Sequence, residues 1–186
     1  MPTSDHQERV AVPLVEETVA GLYERYAPQI ERWARRLAGP RFDAEDLLHD
    51  IFLVVLRRRG EFRGDAKVTT WLFRITLQVV RWRHRNHALR QWLWGRHGSD
   101  LTETPASALT PVEEFERREQ HLRLYRALDK LPEKYRTPLV LFALEGLAGE
   151  EIAALTGTDT NTVWVRLHRA RAKLADVLAA EREKEL

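Results

Sequence analysis

GEEIAALTGTDTNTVWVRLHRARAK, residues 149–173, decides the fold. It reads as two short helices joined by a tight turn, and the second helix is strongly basic. Ala153 is small where the first helix must approach the second closely. Gly157 sits at the turn, where left-handed backbone costs a glycine nothing. At about 3.6 residues per turn, Val163, Leu167, Ala170 and Leu174 fall on one stripe, which is expected to be buried. Asn161, Val165, His168 and Arg169 fall on the opposite side. From Thr160 to Lys173 the chain carries Arg166, Arg169, Arg171 and Lys173 and no acid. Turn, small residue and one-sided charge together are the sequence form of a DNA-binding helix-turn-helix whose second helix enters the groove. An ordinary helical hairpin with a basic outer face would share the charge alone.

Working outward, composition bounds the answer. The chain has 186 residues, 44% hydrophobic and 31% charged, which is enough for one large or two small folded domains. The formal net charge is only +2, so the placement of charge matters more than its sum. Arg81 to Arg90 and Arg166 to Lys173 are basic, while Leu101 to Glu119 leans acidic. The absence of cysteine excludes disulfide and thiolate chemistry and fits a reducing, cytoplasmic compartment. No apolar run approaches a membrane span. The start, MPTSDHQERVAVP, has acidic groups and no apolar core, unlike a signal peptide.

The rest of the chain is helical in pattern. Val19, Leu22, Tyr26, Ile30, Trp33 and Leu37 recur at helical spacing until Gly39-Pro40, with Pro28 expected to kink or divide the helix. Asp43 is a good N-cap for a second helix ending near Gly60. Thr69 or Thr70 is expected to cap a third, with Trp71, Leu72, Ile75 and Val79 inward. Residues 91–110 lose periodicity and read as a linker, although Trp92-Leu93-Trp94 would equally suit a short helical extension packing on the first domain. Thr110-Pro111-Val112-Glu113 restarts order with a capping box. Val112, Phe115, Leu122, Leu128 and Leu131 follow at helical intervals, and Pro132 starts the next helix. The expectation is an all-α chain of two small helical domains, 16–90 and 111–180, joined by a flexible linker over 91–110.

Three blocks in this order resemble the extracytoplasmic-function (ECF) sigma factors, promoter-specificity subunits of bacterial RNA polymerase. They are DAEDLLHDIFL at 43–53, FRGDAKVTTWLFRI at 62–75, and LPEKYRTPLVLFALEGLAGEEIAALTG with NTVWVRLHRARAKL at 131–174. The resemblance implies a region-2-like three- or four-helix domain, then a region-4-like helix-turn-helix domain. It implies that Asp46, His49, Asp50 and Leu53, one strip of the second helix, dock on the clamp helices of the polymerase's largest subunit. Glutamine and glutamate are usual in the family where this chain has His49 and Asp50. The acids of that helix would also simply favour its N-terminal dipole.

By the same resemblance the minus-ten promoter element is melted by the loop and helix after residue 62. Phe62, Lys67, Thr69 and Gln78 would contribute to a pocket for a flipped base, which needs a stacking wall and edge hydrogen bonds, and Val68 would also meet the minus-ten DNA. Arg74, Arg81, Arg83 and Arg85 would neutralise phosphates, or form a solvated basic face. Val68 stands where an aromatic is common and Gln78 where asparagine is common. Asn161, Thr162, Trp164, Val165, Arg166, His168, Arg169 and Arg171 would meet the duplex minus-thirty-five element. Trp164 and Val165 replace a basic residue and a serine of many members. Val165 could touch a thymine methyl, whereas Trp164 could equally pack against the neighbouring helix. The acidic linker would thread the polymerase cleft or act as a passive tether.

The implied partners are core RNA polymerase, promoter DNA and an anti-sigma factor, with no cofactor, metal or membrane insertion. A conventional helix-turn-helix regulator, dimeric on duplex DNA, is the alternative. An enzyme reading would lean on the His49-Asp50 dipeptide or on His84 and His87 at ligand spacing. The latter pair lies in an arginine run that repels a cation, and no nucleophile–base pairing or phosphate loop accompanies it.

Overall fold

The computed structural model describes residues 18–94 and 111–185, and every regular element among them is helical. α1 spans Val19–Ala38, with the Thr18 hydroxyl accepting from the Gly21 amide at 3.1 Å. It is one continuous helix through Pro28. A proline removes one backbone hydrogen bond, and burial of Ala27, Ile30, Trp33 and Ala34 around it holds the rod together. Gly39 ends α1 at φ +82°, and a β-carbon there would also overlap the ring of Tyr125. Position 39 thus requires glycine for both its backbone and the close approach.

α2 spans Ala44–Arg58, capped as expected by Asp43, whose Oδ1 accepts from the Glu45 and Asp46 amides at 2.9 Å each. One 3-10 turn, Arg59–Glu61, leads into a loop and then α3, Val68–Trp94. α3 begins before either expected threonine cap: the Lys67 carbonyl accepts from the amides of Thr70 at 2.9 Å and Trp71 at 3.1 Å. Thr69 and Thr70 therefore lie inside the first turn, where burial of Thr70 outweighs its value as a cap. Leu22, Ile30, Leu47, Ile51, Val55, Leu72 and Phe73 are sealed in the core of this three-helix half. Trp33 meets Phe73 edge-on at 5.2 Å. Trp71 is only partly buried and pairs with Phe62 instead, ring centroids 5.5 Å apart.

α3 continues to Trp94, so residues 91–94 are helical where periodicity had faded. Trp92 is 80% exposed, which leaves it without the packing that a docked extension would give. The remaining linker readings and the Thr110 cap fall outside the described residues.

The second half contains α4 (Pro111–Asp129), α5 (Glu133–Ala143), α6 (Gly149–Thr156) and α7 (Thr160–Glu185). Pro132 is the N-cap of α5 rather than its first helical residue. Phe115 is 67% exposed, unlike Leu128 and Leu131; among the described residues, α4 is buried toward its C-terminal end. Leu139, Val140, Leu141, Ile152, Val163, Leu167 and Ala170 form this half's core, whereas Leu174, the last residue of the expected stripe, is only partly buried against it.

The two halves are packed together: α6 lies on α3, and α5 on α1. The last carbonyls of a helix have no partner within it. Those of α1 are met from the other half. The Tyr125 hydroxyl donates to the Arg36 carbonyl at 3.0 Å, and Arg136 donates to the Leu37 carbonyl at 2.7 Å. Glu145, 3% exposed, lies between Arg32 at 3.0 Å and Arg36 at 2.9 Å. Arg41 pairs with Asp129 at 3.1 Å, and Asp129 also faces Arg136 at 2.7 Å.

Candidate nucleic-acid interface

The turn between α6 and α7 is built by local chemistry. Gly157 adopts φ +67° and closes α6, and the Thr158 amide returns to the Ala153 carbonyl at 3.1 Å. Ala153 is buried, so small size at that position serves the close helix contact. Asp159 caps α7: its carboxylate accepts from the Thr162 amide at 2.7 Å and the Thr162 hydroxyl at 2.5 Å. These bonds hold the Asp159 carboxyl below the ordinary carboxylate range. The sequence signal for this cap was available in Asp159-Thr160-Asn161-Thr162, an acid just before the basic run. Thr162 is thereby spent on the cap, the Asp159 carboxylate holding its hydroxyl proton.

On α7, Asn161, Val165, His168 and Arg169 are all exposed on one outward face, with Val165 at 50%. Trp164, 45% exposed, stands on the flank and is held there. Its ring meets Phe142 at 5.6 Å, edge-on, and covers Gly149, where a β-carbon would sit 2.9 Å from the indole. Trp164 thus packs on the neighbouring helix while keeping one edge in solvent. Arg171 lies 5.2 Å over the Phe142 ring, and Arg169 lies against the Tyr135 phenol, lowering that phenol's pKa. Arg166 is half-buried and lines a cleft facing α3.

The first-half residues divide similarly. On α2, Asp46, His49 and Leu53 are exposed along one strip, Leu53 at 39%. Asp50 is half-buried and accepts from Arg83 at 2.6 Å, which joins a strip residue to an arginine of the basic set. Phe62 backs the loop against Trp71, and Lys67, Val68 and Thr69 carry the chain into α3. The Gln78 side-chain oxygen accepts from Arg58 at 3.0 Å. Arg81 binds Glu133 of the other half at 2.5 Å, whereas Arg74 and Arg85 are exposed. His84 and His87 both stand edge-on to Phe42, at 4.9 and 5.7 Å. Burial first, and then Arg136, push His84 down to about 4.

The sequence is similar to known proteins along most of its length. Residues 22–90 match the Sigma-70 region 2 family model, and residues 121–174 match the Sigma-70, region 4 model. An ECF RNA polymerase sigma factor, SigE of Mycolicibacterium smegmatis, is 34% identical over 92% of this chain and 64% of the relative. The RNA polymerase sigma factor CnrH of Cupriavidus metallidurans is 30% identical over 88% of this chain and 87% of its own length. The structure of CnrH in complex with the cytosolic domain of CnrY superposes with a TM-score of 0.57 at 27% identity, covering 87% of this chain and 88% of that one. The chain thus spans somewhat under two thirds of the SigE relative and most of CnrH.

Proposed function

This chain belongs to the ECF RNA polymerase sigma factor family, a class that directs transcription initiation, and from that premise we propose how its parts share the work. Residues 16–90 engage core polymerase and the opened minus-ten DNA, residues 111–180 engage the duplex minus-thirty-five DNA, and 91–110 connect them. The carrying observation is the outward face of α7: Asn161, Val165, His168 and Arg169 stand exposed together behind a capped turn. That is the geometry a recognition helix needs. The strip Asp46, His49 and Leu53 on α2 is the polymerase surface, because it is exposed while Leu47, Ile51 and Val55 supply the core. Asp50 contributes to it through its pair with Arg83.

The chain performs no catalysis itself; polymerase does the chemistry in the cytoplasm. No helix among the described residues is long and apolar enough to cross a membrane. An anti-sigma factor is the third partner, by analogy with the sigma factor RpoE of Bartonella quintana, which has a similar fold and is seen in complex with the anti-sigma factor NepR.

The test is transcription by core polymerase with this chain on randomised promoters. Wild type should select both elements. Asp46→Arg with Leu53→Arg should weaken core binding while leaving helicity unchanged, since exposed substitutions cost little stability. Tight, sequence-specific binding of duplex DNA by a dimer without polymerase would instead favour the conventional regulator.

A further inference from the structure

Between the two halves lies a cleft of about 420 Å³, within the size range of small-molecule sites. α3 forms one wall, and α5, α6 and α7 form the other. Arg74 enters from α3, Arg166 from α7 and Lys134 from the first turn of α5. Arg81 and Glu133 also line it, but they bind each other. Among the described residues, Arg74 and Arg166 have neither an ion pair nor a hydrogen-bond partner. The cleft therefore gathers four cations against one carboxylate, and that carboxylate is already taken. Like charges brought together from different helices repel, and a bound anion would turn that repulsion into attraction.

We propose that this cleft binds a small anion carrying adjacent phosphates, a nucleoside diphosphate or an inorganic diphosphate, that bridges the two halves. Guanidinium groups match phosphate oxygens in a planar fork, and lysine adds a point charge. A diphosphate balances the three cations that Glu133 leaves uncompensated. The cleft is also larger than a phosphate needs. Leu77 and Pro138 offer an apolar wall against which a base could lie. The anion stabilises the packed arrangement because Arg74 and Arg166 belong to opposite halves. If these two arginines also meet promoter DNA, as the family resemblance implies, anion and promoter compete for them; that consequence alone rests on that reading.

The experiment is calorimetric titration of the full chain, without polymerase or DNA, using pyrophosphate, ADP and inorganic phosphate. Pyrophosphate or ADP should saturate a single site, with inorganic phosphate at least about tenfold weaker. Tighter ADP binding would place the nucleoside on the apolar wall, and equal affinity would assign recognition to the phosphates alone. Arg74→Gln and Arg166→Gln should each weaken binding by about tenfold or more, with circular dichroism confirming the fold. A ligand held by one half would make one of these substitutions silent, and that result overturns the bridge. No saturation at millimolar concentration, or equal binding of all three anions, overturns the site itself. Lys134 stands outside the promoter-contacting set, so Lys134→Gln should weaken the anion several-fold yet leave anion-free transcription unchanged. That comparison separates failure of the cleft from failure of the promoter reading.

Discussion

His84 makes the packing of the two halves sensitive to acid. It lies beside Phe42 and 3.4 Å from Arg136, with Asp129 and Arg41 close by, and its pKa falls from 6.5 to about 4. Burial is the largest cause, followed by the Arg136 charge, while Asp129 opposes both. A depressed pKa means that the packed state binds fewer protons than the unfolded one, so stability rises with pH between the two values. The contribution is complete above about pH 6.5 and is lost as pH falls toward 4. The full shift corresponds to about 3 kcal/mol, and roughly 2 kcal/mol of it should be gone by about pH 5. Many carboxylates titrate over the same range, so the informative quantity is a difference between proteins. Urea unfolding of wild type and His84→Gln at about pH 7.5 and 5, followed by fluorescence and circular dichroism, supplies it. Wild type should lose about 2 kcal/mol more than the variant on acidification. Equal losses in the two proteins would refute the assignment.

Glu145→Ala should loosen the packing of the halves, because it strips the buried carboxylate from Arg32 and Arg36. Both arginines are partly exposed and can rehydrate, so the cost should be about 1–3 kcal/mol rather than that of a fully buried pair. Small-angle scattering should then report a larger radius of gyration; an unchanged radius would show that Glu145 does not hold the halves together. Gly149→Ala should destabilise the helix-turn-helix by about 1–3 kcal/mol through overlap with the Trp164 ring. Adding Trp164→Leu should recover part of that loss, and failure to do so would remove the clash as its cause. In promoter selection, Val165→Ser should change the minus-thirty-five preference, while Trp164→Phe, which keeps the contact with Phe142, should not. A preference that follows position 164 instead would reverse these roles.

The described helices were legible where their apolar residues repeat with the helical period, and the end of α3 at 91–94 was missed where that repeat fades. Of the stripe Val163, Leu167, Ala170 and Leu174, the first three are buried and Leu174 is partly so, and Asp43 caps α2, as local rules require. The block order from Asp43 to Leu174 likewise carried the family before any packing was known. Local rules failed where burial competed with them: Thr70 went into the core rather than capping α3, and Phe115 stayed exposed although it falls on the helical repeat.

The packing of the two halves had no comparable signal. It joins Tyr125 to the Arg36 carbonyl, Arg136 to the Leu37 carbonyl and Glu145 to Arg32, across roughly a hundred residues of chain each time. It also brought Arg166 of α7 and Arg74 of α3 to one cleft. Apolar periodicity reports which face of a helix leaves water, and that can be read from neighbours in sequence. Which carbonyl meets which hydroxyl, and which cations share a cleft, depends on where distant helix ends meet. Only the tertiary structure decides that.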